Sequence, residues 1–190
     1  MKILSIDPGF ERMGVAIIER AVGSAKPRVL YSACVKTSPK DAFHLRIKAL
    51  GDALQEIIAK HQPGVLAIEK LFFSNNQQTA LAVAEARGVA VYEAARHGLS
   101  FFEYTPIQIK LAVAGYGRAT KSQVIVMTQT LAEFEDTEKK VRGKARSDDE
   151  FDAIAVGLTH LAFSRPLLKE VGEERNDEAR GKNQEYRPPR

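Results

Sequence analysis

Apolar residues recur with two different periods along this chain, and the changes of period mark out its elements. Lys2–Asp7 (KILSID) is a short apolar run that ends on an acid and is punctuated by Pro8-Gly9. Met13–Glu19 (MGVAIIE) and Arg28–Thr37, which contains VLYSACV, are two further runs rich in Val and Ile. Three strands with short connections predict an antiparallel meander. The period then lengthens. Leu45, Ala49, Leu50, Ala53, Leu54, Ile57 and Ile58 recur at helical spacing between Asp41 and Lys60, up to the stop at Pro63-Gly64. Val65–Glu69 (VLAIE) reads as a buried strand that again ends on an acid. An Ala-rich helix is predicted over Thr79–Arg96, and a strand over Ser100–Tyr104, stopped by Pro106. Short helices follow over Ile107–Ala114 and from Thr120-Lys121-Ser122 to about Leu131. The last helix runs from Ser147 to Phe163, with Ser147 and Glu150 at capping-box spacing.

This order predicts an α/β fold: a mixed five-stranded sheet, three antiparallel strands and then two more, flanked by helices. Residues 1–164 form one domain. From Arg165 onward thirteen of twenty-six residues are charged, with both signs mixed and few apolar residues, so 165–190 is expected to be a disordered tail. A chain of 190 residues with 44% hydrophobic and 27% charged residues suits a single soluble domain. The formal net charge of +4 is compatible with a polyanionic partner without requiring one. The single cysteine, Cys34, rules out an intramolecular disulfide and suits a reducing cytoplasm; in its apolar run it reads as a small core residue. No apolar stretch approaches a membrane span, and MKILSIDPGF is too short and polar for a signal peptide.

The strand-end acids carry the first chemical signal. Ligands bind at strand ends in open α/β sheets. If the strands of Asp7 and Glu69 are neighbours, the two carboxylates face each other, which is costly unless they are paired or metal-bound. For Asp7 alone, capping the Pro8-Gly9 turn is an equally good account. The last helix adds Asp148, Asp149, Glu150 and Asp152. Asp152 lies roughly 100° from Phe151, beside the apolar stripe, and Asp148 and Asp149 fall within about 60° of it. Acids in a first helical turn also suit the helix dipole alone. The pattern therefore admits either Asp148 or Asp149 beside Asp152. Clustered carboxylates suit hard cations such as Mg²⁺ or Mn²⁺, and two ions can activate water for phosphodiester cleavage. No His/Cys spacing suggests zinc, and neither a GxxxxGK[ST] loop nor a Gly-x-Ser-x-Gly elbow occurs.

Basic and aromatic residues surround these acids in the sequence. KKVRGKAR places five basic residues, Lys144 and Arg146 among them, in the eight before Ser147; a solvated linker is the plainer reading of that run. Lys110, Arg118 and Lys121 add charge in two neighbouring segments. Lys121 stands near a helix N-terminus, where a phosphate is favoured. Leu71, Phe72 and Phe73 directly follow the strand of Glu69, so one aromatic is free to stack on unpaired bases and the other to fill the core.

In combination, ILSIDPG, LAIEKLFF, ARGVA at Ala86–Ala90, YTPIQIKLAVAGYGRATKSQV at Tyr104–Val124 and DEFDAIAVGLTHL at Asp149–Leu161 resemble the RuvC family of bacterial Holliday-junction resolvases, within the RNase H-like superfamily. The resemblance spans roughly residues 1–164. It implies an RNase H-like fold and a two-metal site (Mg²⁺ or Mn²⁺) built from Asp7, Glu69, Asp149 and Asp152. The family's D-x-x-D-A pattern selects Asp149 over Asp148. The resemblance also implies DNA contacts for Lys110 and Lys121, and a junction contact for Phe72. The implied activity is symmetric nicking of two opposed strands of a four-way junction by a homodimer, with the RuvA-RuvB branch-migration complex as a partner. The Ala-rich helix is the candidate dimer face. Lys70 departs from the family pattern by placing a cation beside Glu69. Two other readings are a non-catalytic junction-binding protein and an enzyme acting on RNA·DNA hybrids.

Overall fold

The computed structural model describes residues 1–21, 23–71, 77–135 and 145–164. The Lys139–Lys144 part of the basic run and the 165–190 tail lie outside the described residues, as do Phe72 and Phe73. Among the described residues, six strands form one sheet in the order β5-β4-β1-β2-β3-β6. They are β1 (Lys2–Asp7), β2 (Arg12–Glu19), β3 (Arg28–Lys36), β4 (Val65–Glu69), β5 (Ser100–Tyr104) and β6 (Glu133–Phe134). The helices are α1 (Phe43–His61), α2 (Gln77–Arg96), α3 (Pro106–Ala114), α4 (Lys121–Leu131) and α5 (Asp148–Phe163).

The expected meander is present: β1–β2 and β2–β3 pair antiparallel. β4 then returns parallel to β1, and β5 parallel to β4. The sheet has six strands rather than the expected five. β6 pairs parallel to the outer edge of β3, Arg28 opposite Glu133 and Val29 opposite Phe134. Two residues are too few to show an alternating pattern, so only the pairing reveals this strand. Arg28 holds that edge by bonding Glu135 (3.0 Å) and Glu19 (2.7 Å).

Alternation along the strands divides the core in two. Leu4, Ile6, Leu66 and Ile68 face α1 and α2, together with Leu50, Leu54, Ile57 and Ala90. Ile3, Ala16, Ile18, Val65 and Ala67 face α5, with α3 and α4 behind it. α5 is buried along most of its length, from Ala153 to Leu161, so it reads as apolar on nearly every side. Its approach to the sheet depends on Gly157, where a Cβ would stand 2.4 Å from Ile18 Cδ1 and 2.8 Å from Ser5 Oγ. Gly157→Ala is expected to cost about 1–3 kcal/mol through overpacking, measurable as a lower midpoint in urea denaturation. Tyr104 ties β5 to this helix by a buried 2.8 Å hydrogen bond between its hydroxyl and His160 Nδ1.

The helix starts follow local chemistry. Thr105 and Thr120 cap α3 and α4, each reciprocated by a glutamine three residues on, Gln108 and Gln123. α5 opens with Glu150 reaching back to the Ser147 N–H at 3.1 Å, as the spacing predicted. The Glu150 carboxylate also accepts from Ser32 Oγ of β3 at 2.8 Å. The start of α5 is thereby fastened to the sheet as well as capped.

Candidate active site

β1 and β4 are neighbours in register, Ile6 opposite Ile68. Asp7 and Glu69, one residue further on, therefore end side by side. Ile3 and Ser5 precede Asp7 on the α5 face, as Val65 and Ala67 precede Glu69. By period-two alternation both carboxylates point toward α5. The first turns of α5 lie over this strand end and bring Asp149 and Asp152. Gly14 of β2 allows the approach: a Cβ there would stand 2.0 Å from the Asp149 carbonyl oxygen.

The electrostatics match a crowded group of acids. Burial pushes the Asp7 carboxyl up to about 8, and the charges of Glu69 and Asp152 push the same way. The side-chain contact between Asp7 and Glu69 adds to the rise at Asp7 and opposes it at Glu69. Burial raises Glu69 too, opposed by that contact and by Lys110. Asp152 is raised by burial, against the pull of Lys121. Asp149 behaves differently. Burial would raise it, but hydrogen bonds from Arg12 and from the Cys34 thiol, with the Arg12 charge, bring it below the usual carboxylate range.

Lys121 Nζ sits 3.0 Å from Asp152 and 3.5 Å from Asp148. Lys110 and Lys121 line a cleft of about 270 Å³ together with Glu69, Asp152, Ile109 and Val124. A larger cleft of about 490 Å³, lined by Arg20, Lys26, Leu158 and Leu161, lies toward the other end of α5 and holds none of these acids. Among the described residues, no three acidic, His or Cys side chains converge into a ready cage for an ion. The α5 acids are turned onto Arg12 and Lys121 instead. The donor set is nonetheless all carboxylate oxygen at one strand end, with buried acids that need positive charge, which fits a hard divalent cation.

The other residues singled out in the sequence are placed as follows. Arg118 is exposed in the turn before α4. Arg146 is held away from the cleft: its Nε bonds Ser32 Oγ at 3.2 Å and its guanidinium stacks 4.3 Å from the Phe134 ring centre. Lys70 pairs with Glu103 at 3.3 Å, so its charge is directed along β5. Asp148 is exposed and pairs with the Lys121 ammonium. Two residues at the site escaped sequence reading. Cys34 is opposite Gly14 in the β2–β3 register and meets Asp149 rather than only filling the core. Arg12 begins β2 and contacts Asp149 through Nε at 3.0 Å and through Nη2. No local motif marks either; both depend on strand pairing.

The family model for "Crossover junction endodeoxyribonuclease RuvC" matches residues 3–160. The chain belongs to the RuvC family. The RuvC protein of Desulforamulus reducens is 42% identical over 164 residues, covering 86% of this chain and 95% of that relative. That of Moorella thermoacetica is 41% identical over 173 residues, covering 90% and 98%. Among solved structures, RuvC of T. thermophilus in complex with a Holliday junction substrate superimposes with a TM-score of 0.77 at 29% identity, covering 87% of this chain and 95% of that one. The fold is therefore that of RuvC, and all four acids of this RuvC-family chain fall inside the matched span. Among the described residues, no helix is long and apolar enough to cross a membrane.

Proposed function

We propose that this protein is a divalent-metal-dependent crossover junction endodeoxyribonuclease that nicks two opposed strands of a four-way DNA junction. The observation that carries the reading is the meeting of Asp7 and Glu69 on adjacent strand ends beneath the first turns of α5, within a chain of the RuvC family. Asp7, Glu69, Asp149 and Asp152 are the metal ligands, two Mg²⁺ or Mn²⁺ ions being the occupants that four carboxylates suit. Bound divalent metal supplies an acidified water and charge neutralisation at the leaving oxygen.

The chain's own groups do the rest. Asp7 gives up its proton to become a ligand. Glu69 and Asp152 fix the strand and helix sides of the site. Lys110 and Lys121, on the cleft wall, meet the phosphate, Lys121 leaving Asp152 to do so. A two-fold dimer matches the approximate two-fold symmetry of a junction. α2 is the proposed dimer face, since it leaves Leu81 (65%) and Tyr92 (61%) exposed, Tyr92 lining a shallow cleft with Phe43 of α1. Family membership supports a RuvA-RuvB branch-migration complex as the partner.

The test is a nicking assay on a synthetic four-way junction across a Mg²⁺ and Mn²⁺ series, with an RNA·DNA hybrid alongside. Nicks at symmetric positions in opposed strands are expected only with metal, and the hybrid should stay intact. Glu69→Gln should lower the rate by about 10³-fold, the effect of losing several kcal/mol of transition-state stabilisation. A Glu69→Gln protein that nicks at the unchanged rate, or a hybrid cut faster than the junction, would defeat the assignment.

A further inference from the structure

Arg12 reaches the site from the sheet, across β1 from the wall that carries Lys110 and Lys121. Two of its N–H groups converge on a single oxygen of Asp149, Oδ2. A guanidinium and a divalent cation cannot both crowd one carboxylate oxygen without strong like-charge repulsion. The two therefore compete for Asp149, and the surroundings decide which can withdraw. The Asp149 side chain is 19% exposed and its backbone lies against Gly14 of β2. The Arg12 side chain is 49% exposed and has solvent to swing into.

We propose that Arg12 is a resident counter-ion of Asp149 that competes with the divalent metal for this acid and swings away when metal is loaded. The inference rests on Asp149 being a metal ligand. In the metal-free protein, Arg12 neutralises the acid and holds its side chain toward the sheet. The same contact lowers affinity for metal, because loading must first break a two-donor ion pair. Arg12 therefore sets the metal concentration at which the site fills.

The measurement is calorimetric titration of Mn²⁺ into the full chain without DNA, for the native protein, Arg12→Gln, Arg12→Lys and Asp149→Asn. Circular dichroism checks that each variant keeps its fold. Arg12→Gln is expected to bind Mn²⁺ about five-fold more tightly, the scale on which removing one solvent-screened competing charge acts. Arg12→Lys, which keeps the charge, should stay within about two-fold of the native protein on the same scale. If Arg12 only orients Asp149, Arg12→Gln will bind metal equally or more weakly, and the proposal falls. Asp149→Asn separates the two levels of the argument. If the native protein takes up no Mn²⁺, or Asp149→Asn binds as well as the native protein, the metal-site reading itself is wrong. If Asp149→Asn weakens binding while Arg12→Gln does not strengthen it, only the role of Arg12 is refuted.

Discussion

Asp7→Asn is expected to abolish nicking and, at the same time, to raise the melting temperature of the metal-free protein at alkaline pH. Both effects come from one carboxyl group. As a ligand, Asp7 faces Glu69 and helps neutralise the metal; an amide is a poorer, uncharged donor, so the rate should fall by about 10³-fold or more. As a buried acid without metal, Asp7 is a liability. Its carboxyl titrates near 8 in the fold, against 3.8 as the ordinary value. Between those values the native state holds a proton that the unfolded chain has released. Stability must then fall as pH rises across this window. Asparagine removes that slope. In EDTA, the native protein should melt lower at pH 9 than at pH 6, and Asp7→Asn should lose less over the same interval. At pH 9 the variant should melt about 5 °C higher, as ~2 kcal/mol would produce in a chain of this size. Added Mn²⁺ should reverse the order, because the native site, with four carboxylates, gains more binding energy than the variant with three. A variant that melts lower than the native protein in EDTA at pH 9 would show that Asp7 is not under charge strain.

Gly14→Ala should be nearly as damaging, although it removes no functional group. The new Cβ would stand 2.0 Å from the Asp149 carbonyl oxygen and 3.3 Å from Ala153 Cβ. The backbone of α5 cannot yield locally, because its start is fastened by Glu150 to Ser147 and Ser32. The helix must therefore shift away from β2 as a unit, carrying Asp149 and Asp152 away from Asp7 and Glu69. A displacement of about 1 Å at a catalytic constellation costs on the order of 10²-fold in rate. The stability loss should be about 1–3 kcal/mol. The junction assay and a urea melt together check this: a large rate loss at moderate stability loss is expected. A fully active Gly14→Ala protein would mean that the placement of α5 against β2 does not govern the site.

Much of this architecture was legible in local patterns. The apolar runs located β1, β2 and β4, because a strand buried on both faces is apolar over four to eight residues, while the partly alternating run of β3 and the aromatic run of β5, an exposed edge strand stopped by Pro106, located the other two. The spacing of Leu45 to Ile58 located α1, and the Ser147/Glu150 pair located the start of α5. Asp7 and Glu69 stood out because an acid that ends an apolar strand is unusual without a partner. β6 escaped because two residues have no period. Asp149 could not be separated from Asp148 by helical geometry, since both lie within about 60° of Asp152; the family's pattern chose between them. In the fold, Asp149 meets Arg12 and Cys34 while Asp148 stays exposed beside Lys121.

By itself, the sequence determined the order of the elements apart from β6, the α/β class, the acids available for chemistry and the family to which the chain belongs. These follow from periodicity, caps and motifs, which act over a few neighbouring residues. Only the tertiary structure decided which acids are buried together, which cations neutralise them, and how closely α5 may approach the sheet. Those properties arise between residues far apart in the chain: Asp7 beside Glu69, Gly14 beneath Asp149, Arg12 bonded across 137 positions to Asp149. They are set by strand register and helix packing, and no local pattern encodes either one.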